Sequence, residues 1–77
     1  MKKMYYLMPT NGQKSFGNKA VVEIDDNGNE TLYSYNTPII TRTKQGKLIK
    51  LYNGWSQTTG RHIKSFCGLN KAQYEAL

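Results

Sequence analysis

The chain is 77 residues long, 38% hydrophobic and 21% charged, with a formal net charge of +6. That length builds one hydrophobic core and buries only about 60% of the unfolded surface, so residues 1–77 read as a single domain, and the apolar content excludes a disordered tail. One cysteine, Cys67, excludes a disulfide framework and a thiolate metal site and fits a reducing compartment such as bacterial or host cytoplasm.

In chain order, Lys3 to Met8 is aromatic and apolar, which favours a strand closed by Pro9 and Asn11-Gly12. Its apolar run, Met4 to Met8, is shorter than the core of a signal peptide, so no membrane is expected. Gln13 to Lys19 is polar apart from Phe16 and reads as a loop or one helical turn anchored by that ring. Ala20 to Asp25 and Glu30 to Asn36 flank Asp26-Asn27-Gly28-Asn29, a hairpin signal in which Asn27 and Gly28 would both take positive φ. Thr37-Pro38 then breaks the ladder, because proline has no N–H to donate. A second hairpin pairs Ile39–Thr43 with Lys47–Tyr52 across Lys44-Gln45-Gly46, with Gly46 left-handed.

Asn53-Gly54 ends the strands, and Ser56 to Thr59 supplies hydroxyl caps for a helix running to about Cys67. At helical spacing Thr59, Ile63, Phe66 and Cys67 form one stripe, Arg61 and Ser65 point away, and His62 and Lys64 lie on the flanks. Gly68 is a C-cap, and Asn70 with Gln73 forms a capping box for a short last helix to Leu77. The expected fold is α+β: about five antiparallel strands in hairpins, one C-terminal helix packed on the sheet, and a short helical tail. An edge strand such as Lys3–Met8 could pair across a homodimer.

Three segments resemble a small domain spread among phages, plasmids and integrative elements of Gram-positive and gut bacteria, a family to which no activity is attached. They are Lys14-Ser15-Phe16-Gly17-Asn18-Lys19-Ala20, Leu32-Tyr33-Ser34-Tyr35-Asn36-Thr37, and Ser56-Gln57-Thr58-Thr59-Gly60-Arg61-His62-Ile63-Lys64-Ser65-Phe66. The third is the most specific, and in the first the chain has Gly17-Asn18 where the family carries an aromatic and then glycine. The resemblance implies a mobile-element origin rather than a mechanism.

Charge distribution adds to this. Glu23, Asp25, Asp26 and Glu30 lie around one turn, and no acid occurs from Thr31 to Tyr74, a stretch that carries Arg42, Lys44, Lys47, Lys50, Arg61, Lys64 and Lys71. Such a stretch attracts polyanions, although a merely solubilising surface has the same composition. Most of the six tyrosines, Tyr35 among them, are needed with Phe66 for the core. Tyr52 and Trp55 are left as the aromatics best placed to stack on a base.

Catalysis finds little footing. His62 and Cys67 are the only nucleophile and base of the usual kind, and five helical positions set them about 140° apart. Cys67 reads as a small core residue, and His62 as a ring beside Phe66 with one nitrogen bound by a serine or threonine. Asp25, Asn27 and Asn29 echo a calcium loop, but the glycine stands at the wrong position and strands flank it. Thr58-Thr59-Gly60-Arg61 could hold an anion at a helix start, though capping alone explains the threonines.

The expected function is therefore that of a non-enzymatic, cofactor-free phage or mobile-element accessory protein that binds nucleic acid, DNA or RNA. The site residues would be Arg42, Lys44, Lys50, Tyr52, Trp55, Thr58, Arg61, His62 and Lys64. The alternative is an anti-defence inhibitor of the anti-CRISPR type that grips a host effector protein or its nucleoprotein complex.

Overall fold

The structure, a computed structural model, describes residues 3–7 and 19–77. The loop expected over Gln13–Lys19 and the anchoring role of Phe16 fall outside them, save for Lys19. Among the described residues five strands precede two helices: β1 Lys3–Tyr6, β2 Ala20–Ile24, β3 Glu30–Ser34, β4 Thr37–Arg42, β5 Leu48–Lys50, α1 Gln57–Cys67 and α2 Lys71–Glu75. The strands form one antiparallel sheet whose spatial order repeats the chain order, as the expected run of hairpins requires.

Turn chemistry sets this order. The loops after β2 and β4 are built alike. In the first, Gly28 N–H donates to Asp25 O at 3.1 Å and Asp25 N–H to Asn29 O at 3.0 Å. In the second, Gly46 N–H donates to Thr43 O and Thr43 N–H to Lys47 O, both at 2.8 Å. Each is a three-residue loop ended by a left-handed glycine, at φ 86° for Gly28 and 91° for Gly46. Asn27 does not share the positive φ expected of it. The Asp25 carboxylate instead takes the Asn27 and Asn29 N–H groups at 2.8 and 3.0 Å and shapes the turn from one end.

The two-residue turn with both φ positive lies between β3 and β4, at Tyr35 (52°) and Asn36 (69°), and it joins the paired residues Ser34 and Thr37. This corrects the sequence reading, which ran β3 to Asn36 and broke the ladder at Thr37-Pro38. Pro38 lies in β4 opposite Tyr33, and the register steps from Leu32↔Ile40 to Tyr33↔Pro38, leaving Ile39 as the extra residue of a bulge. A bulge is one of the few places where a strand tolerates proline. The same step turns Ile39 and Ile40, 1% and 0% exposed, both into the core.

Both helices cover that side of the sheet. Ile63 and Phe66 of α1 and Tyr74 of α2 close over Ala20, Val22, Leu32, Ile39 and Ile40. The Ser56 hydroxyl caps α1 by accepting the Thr59 N–H at 3.0 Å, and Gly68 ends it in the left-handed conformation. Asn70 and Gln73 form the expected capping box of α2. The Tyr74 hydroxyl lies 3.1 Å from the Ile39 carbonyl and also contacts that of Tyr52, tying the tail to the bulged strand.

Candidate nucleic-acid interface

Three of the expected site residues share one face. Thr58, Arg61 and Lys64 stand at i, i+3 and i+6 of α1, and all three are exposed. The helix has no acid in its first turn and none further along Gln57–Cys67, and Lys64 is the basic residue of its last turn. Neither the partial positive charge of the helix N-terminus nor its two cations is offset within the helix.

The other expected residues do different work. Arg42 donates from Nε and Nη2 to Glu30 Oε1 at 3.1 and 3.0 Å and from Nη1 to the Phe66 carbonyl at 2.9 Å. Its guanidinium stands 4.4 Å from the centroid of the Phe66 ring. A cation at the carbonyl end of a helix is favourable there, so Arg42 holds α1 to β3 and β4. Lys44 lies along the β2–β3 turn: its N–H donates to Asn29 Oδ1 at 3.2 Å, and a Cβ on Gly28 would stand 3.4 Å from its Cδ. The hairpins thus bring this lysine to the acidic turn, so an acid-free stretch of chain does not become an acid-free surface.

Lys50, Tyr52 and Trp55 dock the tail. The Lys50 ammonium is 5.7 Å from the Tyr74 ring centroid and 3.4 Å from the Glu75 carbonyl. The Tyr52 carbonyl accepts from Tyr74, and its ring packs against Gly54. Trp55 is half-buried, with its indole 5.6 Å from the Tyr74 ring, rather than free at the mouth of a basic hairpin.

His62 is 1% exposed, and its Nδ1 lies 2.9 Å from the Ser34 hydroxyl, the serine partner expected for it. Burial, helped by the Lys19 charge, holds its pKa below the usual histidine value. The Cys67 thiol donates to the Ile63 carbonyl at 3.4 Å, and burial pushes its pKa up. The two side chains engage different partners and form no nucleophile–base pair. Among the described residues no group of three His, Cys, Asp or Glu is placed to hold a metal ion, and no helix is long and apolar enough to cross a membrane.

Tyr35 departs most from expectation. Expected in the core, it is 53% exposed, because it occupies the tip of a turn rather than a strand. Its ring centroid is 5.6 Å from the Lys19 ammonium and 6.1 Å from the His62 ring, and its N–H donates to the Lys19 carbonyl at 2.9 Å. The one local hint of the turn is Asn36, since asparagine enters the left-handed region more readily than most residues, and the strand propensity of Tyr35 outweighs it.

The architecture defines a small α+β protein, an antiparallel meander covered on one side by two helices, with a basic row along the outside of the longer one. The chain belongs to the family of unknown function DUF8033, which it matches over residues 5–76. No curated protein and no solved structure matches it.

Proposed function

We propose that the protein binds nucleic acid without catalysing a reaction, through the outer face of α1 and by contacts to phosphate rather than by reading base edges. The observation that carries this is the exposed Thr58–Arg61–Lys64 row on a helix without a carboxylate. Two cations, a hydroxyl and a helix N-terminus suit a phosphate backbone. The net charge of +6 supplies long-range attraction for a polyanion. The resemblance to domains of phages and plasmids supports an accessory role in a mobile element.

Fluorescence anisotropy of labelled DNA and RNA across a salt series tests this. Each phosphate contact releases counterions, so log affinity falls with log salt by about 0.7 per contact for a single strand. Arg61→Glu with Lys64→Glu should flatten the slope by about two contacts while the circular dichroism of the fold is kept. Lys44→Glu, beside the acidic turn, should leave the slope unchanged. No binding at low salt would overturn the proposal and leave the same face as a grip on a host effector protein.

A further inference from the structure

Tyr35 occupies a costly position. It is the first of two positive-φ residues in a two-residue turn, at φ 52°, where glycine, asparagine and aspartate are the favoured residues. A bulky side chain there is unusual and costs stability that a smaller residue would restore. The fold does not regain that cost by burying the ring, which is 53% exposed. The turn is anchored without the side chain, by the Tyr35 N–H to the Lys19 carbonyl and by the pairing of Ser34 with Thr37.

The surroundings of the ring indicate what it offers. The Lys19 ammonium stands 5.6 Å from its centroid, and Lys19 is exposed. The ring of His62 lies 6.1 Å away and tilted to it. Tyr35 thus sits at the tip of the β3–β4 turn, beside α1 at the level of His62. A half-exposed ring with an ammonium over it matches one nucleotide, the base stacking on the ring as the mobile ammonium moves to its phosphate.

We infer that Tyr35 is a stacking platform for an unpaired base, with Lys19 on the adjoining phosphate, so that the ligand of the α1 face is a single strand rather than a duplex. This rests on the nucleic-acid reading above and narrows it. Within a duplex the base faces are already stacked on their neighbours, and a ring at a turn tip reaches one only where the strand is open.

The test compares a labelled single-stranded oligonucleotide with its duplex, using the wild type, Tyr35→Asn and Tyr35→Phe, with thermal melting of each protein. The single strand should bind more tightly than the duplex. Tyr35→Asn should weaken single-strand binding by about five- to 150-fold, leave duplex binding and the salt slope unchanged, and melt no lower than the wild type. Tyr35→Phe should bind as the wild type does. If Tyr35→Asn binds the single strand normally, or melts lower than the wild type, the platform is overturned; the wider reading survives if the Arg61 and Lys64 substitutions still weaken binding. If neither oligonucleotide binds at low salt, both fail together.

Discussion

A Cβ placed on Gly60 would overlap Cζ2 of Trp55, so the indole lies directly on the backbone of α1. Gly60 is buried inside the helix, one turn after the Ser56 cap, where helix propensity alone would favour alanine. The close approach explains the glycine. It lets Trp55 pack between α1 and Tyr74, whose ring is 5.6 Å away, and so joins both helices to one indole.

Gly60→Ala should therefore destabilise the protein, against the propensity trend. Propensity favours alanine by about 1 kcal/mol, whereas forcing a methyl group into a packed site costs about 1–3 kcal/mol. Urea unfolding followed by Trp55 fluorescence measures the balance. A variant as stable as the wild type would show that the indole moves aside freely.

Arg42→Lys should lower stability by about 1–3 kcal/mol although the charge is kept, because lysine cannot reproduce the planar fork that meets both Glu30 and the Phe66 carbonyl. The salt dependence of oligonucleotide binding should not change, since this side chain faces α1 and β3. Chemical denaturation and the anisotropy series on the same variant check both parts. A stable variant with a flatter salt slope would return Arg42 to the interface.

Much of the fold was legible because its punctuation is local. Gly28, Gly46 and Gly68 mark two loops and a helix end, each with positive φ, and the Ser56 and Asn70 caps bind as their spacing implies. The β3–β4 turn was not legible, since Ser34-Tyr35-Asn36-Thr37 carries no glycine and Tyr35 has strong strand propensity. Pro38 pointed to a break because the bulge that accommodates it depends on pairing with Tyr33, which is a property of two strands. The site suffered from the same gap between chain and space. The acid-free stretch predicts a basic surface only until the sheet sets Arg42 against Glu30 and Lys44 beside the Asp25 turn. Thr58, Arg61 and Lys64 are exposed side by side because their spacing lies within one element.

Tyr74→Phe should cost about 1–3 kcal/mol, because it leaves the carbonyls of Ile39 and Tyr52 without the buried hydroxyl. The loss should concentrate at the tail. Amide hydrogen exchange should speed up in α2 and around Tyr52 while the β2–β3 hairpin keeps its protection. Uniform acceleration through the whole chain would show instead that the tail does not open separately from the sheet.

Acid should weaken the fold through His62. Its ring is buried against Ser34, and burial together with the nearby Lys19 charge lowers its pKa in the folded protein below the ordinary value. The unfolded chain, with a histidine pKa of about 6.5, therefore takes up a proton at higher pH than the folded one. The stabilisation is complete above about pH 6.5 and is lost as pH falls from there through the lower folded-state pKa, below which this group adds no further change. Asp25, whose pKa is lowered by the N–H groups of Asn29 and Asn27, acts at more acid pH, below about 4. Urea midpoints should thus fall between about pH 7.5 and pH 5.5 in the wild type. His62→Gln keeps a polar group facing Ser34 but does not titrate. It should start less stable and stay level over the same interval. A wild-type midpoint that is flat across this range, or a His62→Gln variant that still follows pH, would show that another group governs the response.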